Sequence, residues 1–131
     1  MFHLWPLALV VVIAPFTANW WRYFVFVPMH TGLKDDVDDF RLCVRSITLD
    51  PVSHFLYWRM NWHIEHHMFA AVPFYNLKRL HALVQFDYPA PQESFLAGMA
   101  NLFAVMKRQG TDPSYIYSPV FPPTANPVKW K

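Results

Sequence analysis

Apolar positions crowd the start of the chain. Leu4 to Ala18 reads L-W-P-L-A-L-V-V-V-I-A-P-F-T-A without a charge, Asn19-Trp-Trp-Arg22 interrupts it, and a second apolar burst from Tyr23 to Met29 runs up to His30. A complete transmembrane helix needs about 20 apolar residues. The first run is therefore short, and continuing it through Arg22 puts a cation into the bilayer. Trp beside Arg suits an interfacial anchor, so the pattern predicts a hydrophobic, transmembrane segment over residues 1–29 holding one partial span. A signal peptide would want a basic start and small residues before a cleavage point. Met-Phe-His-Leu-Trp and Thr-Ala-Asn supply these poorly. The remaining reading is a buried helix of a soluble protein.

Beyond His30 the pattern turns mixed. Lys34 to Asp39 (K-D-D-V-D-D) is the only dense charge run and is expected in water. Four Asp on neighbouring positions cannot all face one ion, which argues against a cation site there. Asp50-Pro51 has the form of a helix start, Asp at the N-cap and Pro at the first position, and nothing breaks the pattern before Pro73. Asn76 to Val84 predicts a short amphipathic helix. After the turn Asp87-Tyr-Pro-Ala-Pro91, Phe95, Met99, Leu102, Phe103 and Met106 recur at helical spacing as one apolar stripe. Glu93 is expected in the first turn of that helix, Lys107 and Arg108 in its last, and Gly110 just beyond it. The Pro-rich tail, residues 111–131, is expected to be extended. The fold class is thus all-α, with a partial transmembrane segment followed by helices on the cytosolic side, and the main body spans residues 30–110.

Composition narrows the function classes. Of 131 residues 54% are hydrophobic and only 15% charged, against about 25% charged in ordinary domains, which fits neither disorder nor a basic nucleic-acid-binding domain. A net charge of +2 gives no footprint for a polyanion, so no nucleic-acid partner is expected. A single cysteine rules out an internal disulfide framework and a Cys-based zinc cage. What remains abundant is histidine, seven in all.

Three of them carry the chemistry. In N-W-H-I-E-H-H-M-F, His63, His66 and His67 stand at i, i+3 and i+4, so on a helix their rings leave one face within a turn. Imidazoles that close each need a partner for both nitrogens, and charging several together is opposed by repulsion. Coordination of a metal such as iron, zinc or copper resolves both problems. Glu65 falls on a different face and is no obvious ligand. The zinc-protease helix has Glu directly after its first His, and His-Ile-Glu-His-His does not. His54 reads as an ordinary helix member, His81 as a residue of the short helix near the cytosolic surface, and His3 stays unassigned.

The His-x-x-His-His box within F-L-Y-W-R-M-N-W-H-I-E-H-H-M-F-A-A-V-P-F-Y-N-L resembles the third histidine box of the integral-membrane fatty acid desaturases. The likeness is greatest to the short bacterial and fungal desaturase-like branch that includes the rhizopine-catabolism desaturases. There the box follows a His-x-Gly-Leu block, an acidic stretch and Asp-x-Arg-Leu-x-x-Arg, here His30-Thr-Gly-Leu33 and Asp39-Phe-Arg-Leu-Cys-Val-Arg45. The likeness runs from about His30 to Pro91 and more weakly to Pro113. It implies a di-iron centre held by three His boxes and an additional His, with His63, His66 and His67 as the third box and His30 as the addition. It further implies O2 as co-substrate, a membrane lipid or acyl substrate, and an external ferredoxin- or cytochrome-type electron donor fed by NAD(P)H. The implied outcome is a double bond and water. The implied location is a bacterial inner membrane or the endoplasmic reticulum, with the box on the cytosolic side. Trp62, Phe69 and Phe74 are candidates to line an acyl tunnel, although ordinary packing suits each of them.

The first two boxes are missing, because residues 1 to 29 hold only His3. The chain is therefore expected to be the C-terminal part of a longer protein, inactive without the missing ligands. Hydroxylation or ketolation on the same scaffold, a non-catalytic metal-binding or structural membrane fragment, and a soluble zinc hydrolase are the competing readings.

Overall fold

A computed structural model describes residues 4–128. It is all-α, 55% helix with no strand among the described residues. The helices are α1 (Trp5–His30), α2 (Phe40–Cys43), α3 (Pro51–Leu56), α4 (His63–Met68), α5 (Leu77–Val84, entered through a 3-10 turn at Phe74–Asn76) and α6 (Phe95–Thr111). His3 lies outside the described residues.

The two apolar runs at the start are one helix rather than a partial span and a separate burst. α1 continues through Pro15, Arg22 and Pro28 for 26 residues, about 39 Å at 1.5 Å per residue, and so exceeds a hydrocarbon core of about 30 Å. By length and composition it can cross a membrane, and only 6% of its apolar window is buried inside the protein. Thr17 Oγ1 donates to the carbonyls of Ile13 and Ala14.

The core gathers around the last third of α1. Val25, Met29 and Ile47 are completely buried together, with Leu49, Tyr57 and Phe95 packed on them. A second cluster joins Val44, Ile64 and Tyr88. Between them runs the extended segment 44–48, the hub of the fold. Arg45 N–H donates to Met29 O at the end of α1 (3.0 Å), Ile47 N–H to Asn61 O (3.2 Å), and Thr48 N–H to Gln92 O (2.8 Å), while Gln92 N–H returns to Ser46 O (3.0 Å). α6 reaches α1 and the hub through two glycines. A Cβ at Gly32, where φ is +73°, would stand 2.2 Å from Val105 Cγ1, and one at Gly98 would stand 2.9 Å from Ile47 Cδ1.

The expected unbroken helix after Pro51 is two helices. Asp50 caps α3, accepting from the N–H groups of Val52 and Ser53. Trp58 and Arg59 then take left-handed backbone angles, φ 54° and 57°, at a local cost of about 1–2 kcal/mol each. Tertiary contacts hold them there. Asn61 Nδ2 donates to Ile47 O at 2.9 Å while its own carbonyl accepts from Ile47, and Arg59 Nη1 donates to Tyr75 O at 3.0 Å. Trp58 lies against Phe74, ring centroids 5.0 Å apart.

Elsewhere the differences are smaller. α6 is capped by Ser94, whose Oγ accepts from Ala97 N–H, so Glu93 precedes the helix, which runs through Gly110 to Thr111. Of its stripe only Leu102 is buried; Gly98 and Val105 are its other buried residues, whereas Phe103 and Met106 are exposed. Of the charge run, Asp35, Asp36 and Asp38 are exposed. Asp39 is buried and paired with Arg41 at 2.6 Å.

Candidate metal centre

Two distant elements make the site. His30 is the last residue of α1, and His63 is the first residue of α4, with His67 one turn further on. One nitrogen from each of these three rings lies within 4.8 Å of the other two. His30 Nε2 and His63 Nε2 face each other at 2.7 Å. Metal–imidazole bonds of about 2.0–2.1 Å place neighbouring ligand nitrogens about 2.9 Å apart at a right angle, so the pair stands slightly inside that separation and a shared ion would part the two rings a little. The contact serves otherwise as a single N–H···N hydrogen bond.

The local chemistry favours ligation. His63 Nδ1 donates to Met60 O at 3.1 Å, which fixes the tautomer and leaves Nε2 with its lone pair toward His30. The ring is 5% exposed. Burial pushes its pKa down from 6.5 to about 3, and charge on His30, His67 or His66 would push it the same way, while the Met60 carbonyl opposes. His67 is lowered too, first by burial and then by His66. Three imidazoles held neutral in an apolar wall form a nitrogen donor set that fits a divalent transition metal. Phe26 packs on His30 (4.3 Å) and Phe40 on His67 (5.4 Å).

His66 stands apart from the trio. Its ring centroid is 5.8 Å from that of His63 and 5.7 Å from that of His67, and it joins them in lining a cavity of about 510 Å³. The other walls are Arg22 and Phe26 of α1 and Leu56, Tyr57, Trp58 and Met60 from α3 and the turn after it. None of Trp62, Phe69 and Phe74 is among these lining residues. Trp62 stacks on His81 with centroids 4.0 Å apart, and Phe69 and Phe74 are exposed. His54, on α3, has its ring 6.4 Å from that of Trp62.

Residues 1–95 match the family model of the fatty acid desaturases. The chain belongs to the fatty acid desaturase family. The matched residues include His30, His63, His66 and His67, and end where α6 begins. No curated protein and no solved structure matches the chain.

Behind the histidine face lies a polar group that the residue pattern alone does not assemble. Glu65 is 1% exposed. It faces away from the three rings, accepting from His81 Nδ1 on α5 and from Ser46 Oγ at 3.2 Å. That Glu65 leaves a different face of the helix from the three rings was legible from its helical angle. Its partners lie 16 and 19 residues away, and nothing local in the sequence joins them.

The neutral His63 makes folding pH-dependent. Between its folded value near 3 and the ordinary 6.5, the unfolded chain takes the proton and the folded chain does not. The stability is whole above about pH 6.5 and falls as the pH drops below it. From pH 7.5 to 5.0 the loss is expected to be about 2 kcal/mol, at about 1.4 kcal/mol per pH unit below the unfolded value. Denaturant midpoints of the metal-free chain at the two pH values measure it, and the slope should flatten in His63→Asn. An equal slope in that variant would assign the titration elsewhere.

Proposed function

We propose that this chain supplies His30, His63, His66 and His67 to the di-iron centre of a membrane fatty acid desaturase acting on an acyl chain. The observation that carries the reading is the 2.7 Å approach of His30 Nε2 to His63 Nε2 across 33 residues of sequence. It gathers the box and the separate upstream His at one point beside an apolar cavity. Bound there, iron supplies the dioxygen chemistry that an unactivated C–H bond requires and that no side chain provides. The protein's own part is to hold and to shield. His30, His63 and His67 would hold one ion, and His66, on the wall of the same cavity, would be available to a second. Phe26, Leu56, Trp58 and Met60 offer an apolar wall for a methylene chain and keep water from it.

A pair of irons needs more ligands than these four, so the remaining His boxes come from outside the 131 residues, and this polypeptide alone is not expected to turn over. α1 anchors it in the membrane with the site at the helix's C-terminal, cytosolic end. The lipid or acyl substrate and a ferredoxin- or cytochrome-type donor approach that end. The blocks His30-Thr-Gly-Leu33 and Asp39 to Arg45 favour the rhizopine-type branch.

Co-expression with a segment carrying the two other boxes tests the proposal, followed by metal quantitation and acyl-product analysis under O2 with a reducing system. Iron and a new double bond are expected, both lost in His63→Ala. A purely hydroxylated product would assign the site to a hydroxylase, and zinc in place of iron would refute the di-iron reading.

A further inference from the structure

The N-terminus of α4 has an unusual capping arrangement. Its N-cap residue, Trp62, makes no side-chain cap, although a helix start leaves N–H groups that need partners. Ser46, on the extended hub, takes that place. Its Oγ accepts from His63 N–H at 3.0 Å and Ile64 N–H at 3.3 Å, and its O–H donates to Glu65 Oε2 at 3.2 Å. The other oxygen of Glu65 accepts from His81 Nδ1. Trp62 lies flat on the His81 ring, 4.0 Å between centroids and 22° between planes. The same hub binds the end of α1, through Arg45 N–H to Met29 O, the residue before His30.

From this geometry we infer that Ser46, Glu65 and His81 are positioning residues for the metal centre, holding α4 in the one rotation that aims His63 and His67 at His30. The inference rests on the metal reading above. α4 has only six residues, too short to hold its own geometry. Rotation by a single residue, about 100°, would carry both rings away from His30. Ser46 fixes the helix start relative to α1, and Glu65 and His81 fix its back face relative to α5. None of the three belongs to the converging trio of rings, and each acts through the backbone or through a neighbour on the opposite face. This is the role that outer hydrogen-bond partners play at metal sites, where their loss costs about 10- to 100-fold in affinity.

The test uses the full chain in detergent, titrated with Co(II) and followed by the visible absorption of the bound ion. Ser46→Ala, Glu65→Gln and His81→Leu are each expected to weaken Co(II) binding about 10-fold or more and to change the band shape. Ser46→Thr and His81→Asn, which retain the hydroxyl and an N–H donor attached at Cγ, should stay near wild type. A role in stability alone would lower the unfolding midpoint and leave the affinity and spectrum of the folded protein unchanged; that result in all three variants overturns the inference. A wild-type chain that binds no Co(II) removes the metal reading instead. The positioning claim is then decided without metal, by the rate at which diethyl pyrocarbonate acylates His63, followed by peptide mass. Ser46→Ala and His81→Leu should raise that rate as the ring leaves its buried place against His30, and an unchanged rate refutes the claim.

Discussion

Alanine at His63 is expected to abolish metal binding by the solubilised chain, whereas alanine at His66 leaves one ion bound. Sequence spacing treats the three box residues alike, but the fold does not. His63 is the most buried of the rings, its Nδ1 is committed to Met60 O, and its Nε2 is the closest neighbour of His30. Removing it takes away the ligand around which His30 and His67 converge. A change to an outer partner costs about 10- to 100-fold, so loss of this central ligand should cost more than about 100-fold. His66 lies outside the trio of converging nitrogens, and its removal should change the first ion's affinity only a few-fold. Its effect should emerge in the assembled two-metal centre, where the second ion is lost. Isothermal titration of the two variants with Co(II) or Fe(II), under matched detergent and pH, checks the contrast. Equal losses would mean that His66 turns inward to join the trio.

The largest effect on stability is expected from Arg41→Ala. Arg41 and Asp39 are both nearly enclosed, at 5% and 6% side-chain exposure, and pair at 2.6 Å. The guanidinium also donates from Nε to Asp39 Oδ1 (2.8 Å), and from Nη1 to Asp87 Oδ1 (2.8 Å) and Asp87 O (3.2 Å). It thereby ties α2 to the turn after α5. The hydrogen bond to Asp39 is the main reason its pKa is raised. Removing one partner of a buried pair costs about 3–5 kcal/mol, because the other charge keeps its desolvation penalty. The unfolding midpoint should fall by roughly 10 °C or more. Lysine at 41 should recover only a part, since one ammonium cannot reproduce the bidentate fork. Arg41→Met combined with Asp39→Leu should recover most of the loss, because it removes both buried charges together. Circular dichroism melts in detergent measure all three. A loss below about 1 kcal/mol for Arg41→Ala would place the pair with ordinary surface bridges.

The Arg41 pair and the metal centre differ in how far each could be read in advance. The His box was legible because its signal is local: three rings at i, i+3 and i+4 must leave one side of any helix that carries them. The apolar run of α1, the Asp50-Pro51 start of α3 and the periodicity of α6 are local in the same sense, being set by side-chain chemistry within a few residues. His30 was marked only by its likeness to a family block, and Asp39 read as one more charge in a solvated run.

The sequence by itself determined the all-helical class, the apolar character of the first 29 residues and the histidine face. Each depends on spacing, capping or hydropathy over one or two turns. That the two apolar runs join in one helix was decided by the structure. Only the tertiary structure decided that the chain breaks at Trp58 and Arg59. The left-handed turn is unfavourable locally and is held by Asn61 on Ile47 and Arg59 on Tyr75. That break sets where α4 starts, brings His63 to His30, leaves His66 at the cavity wall, and turns Glu65 toward Ser46 and His81. These outcomes rest on contacts between residues 14 to 33 positions apart, and no short-range pattern encodes which distant partner will be there.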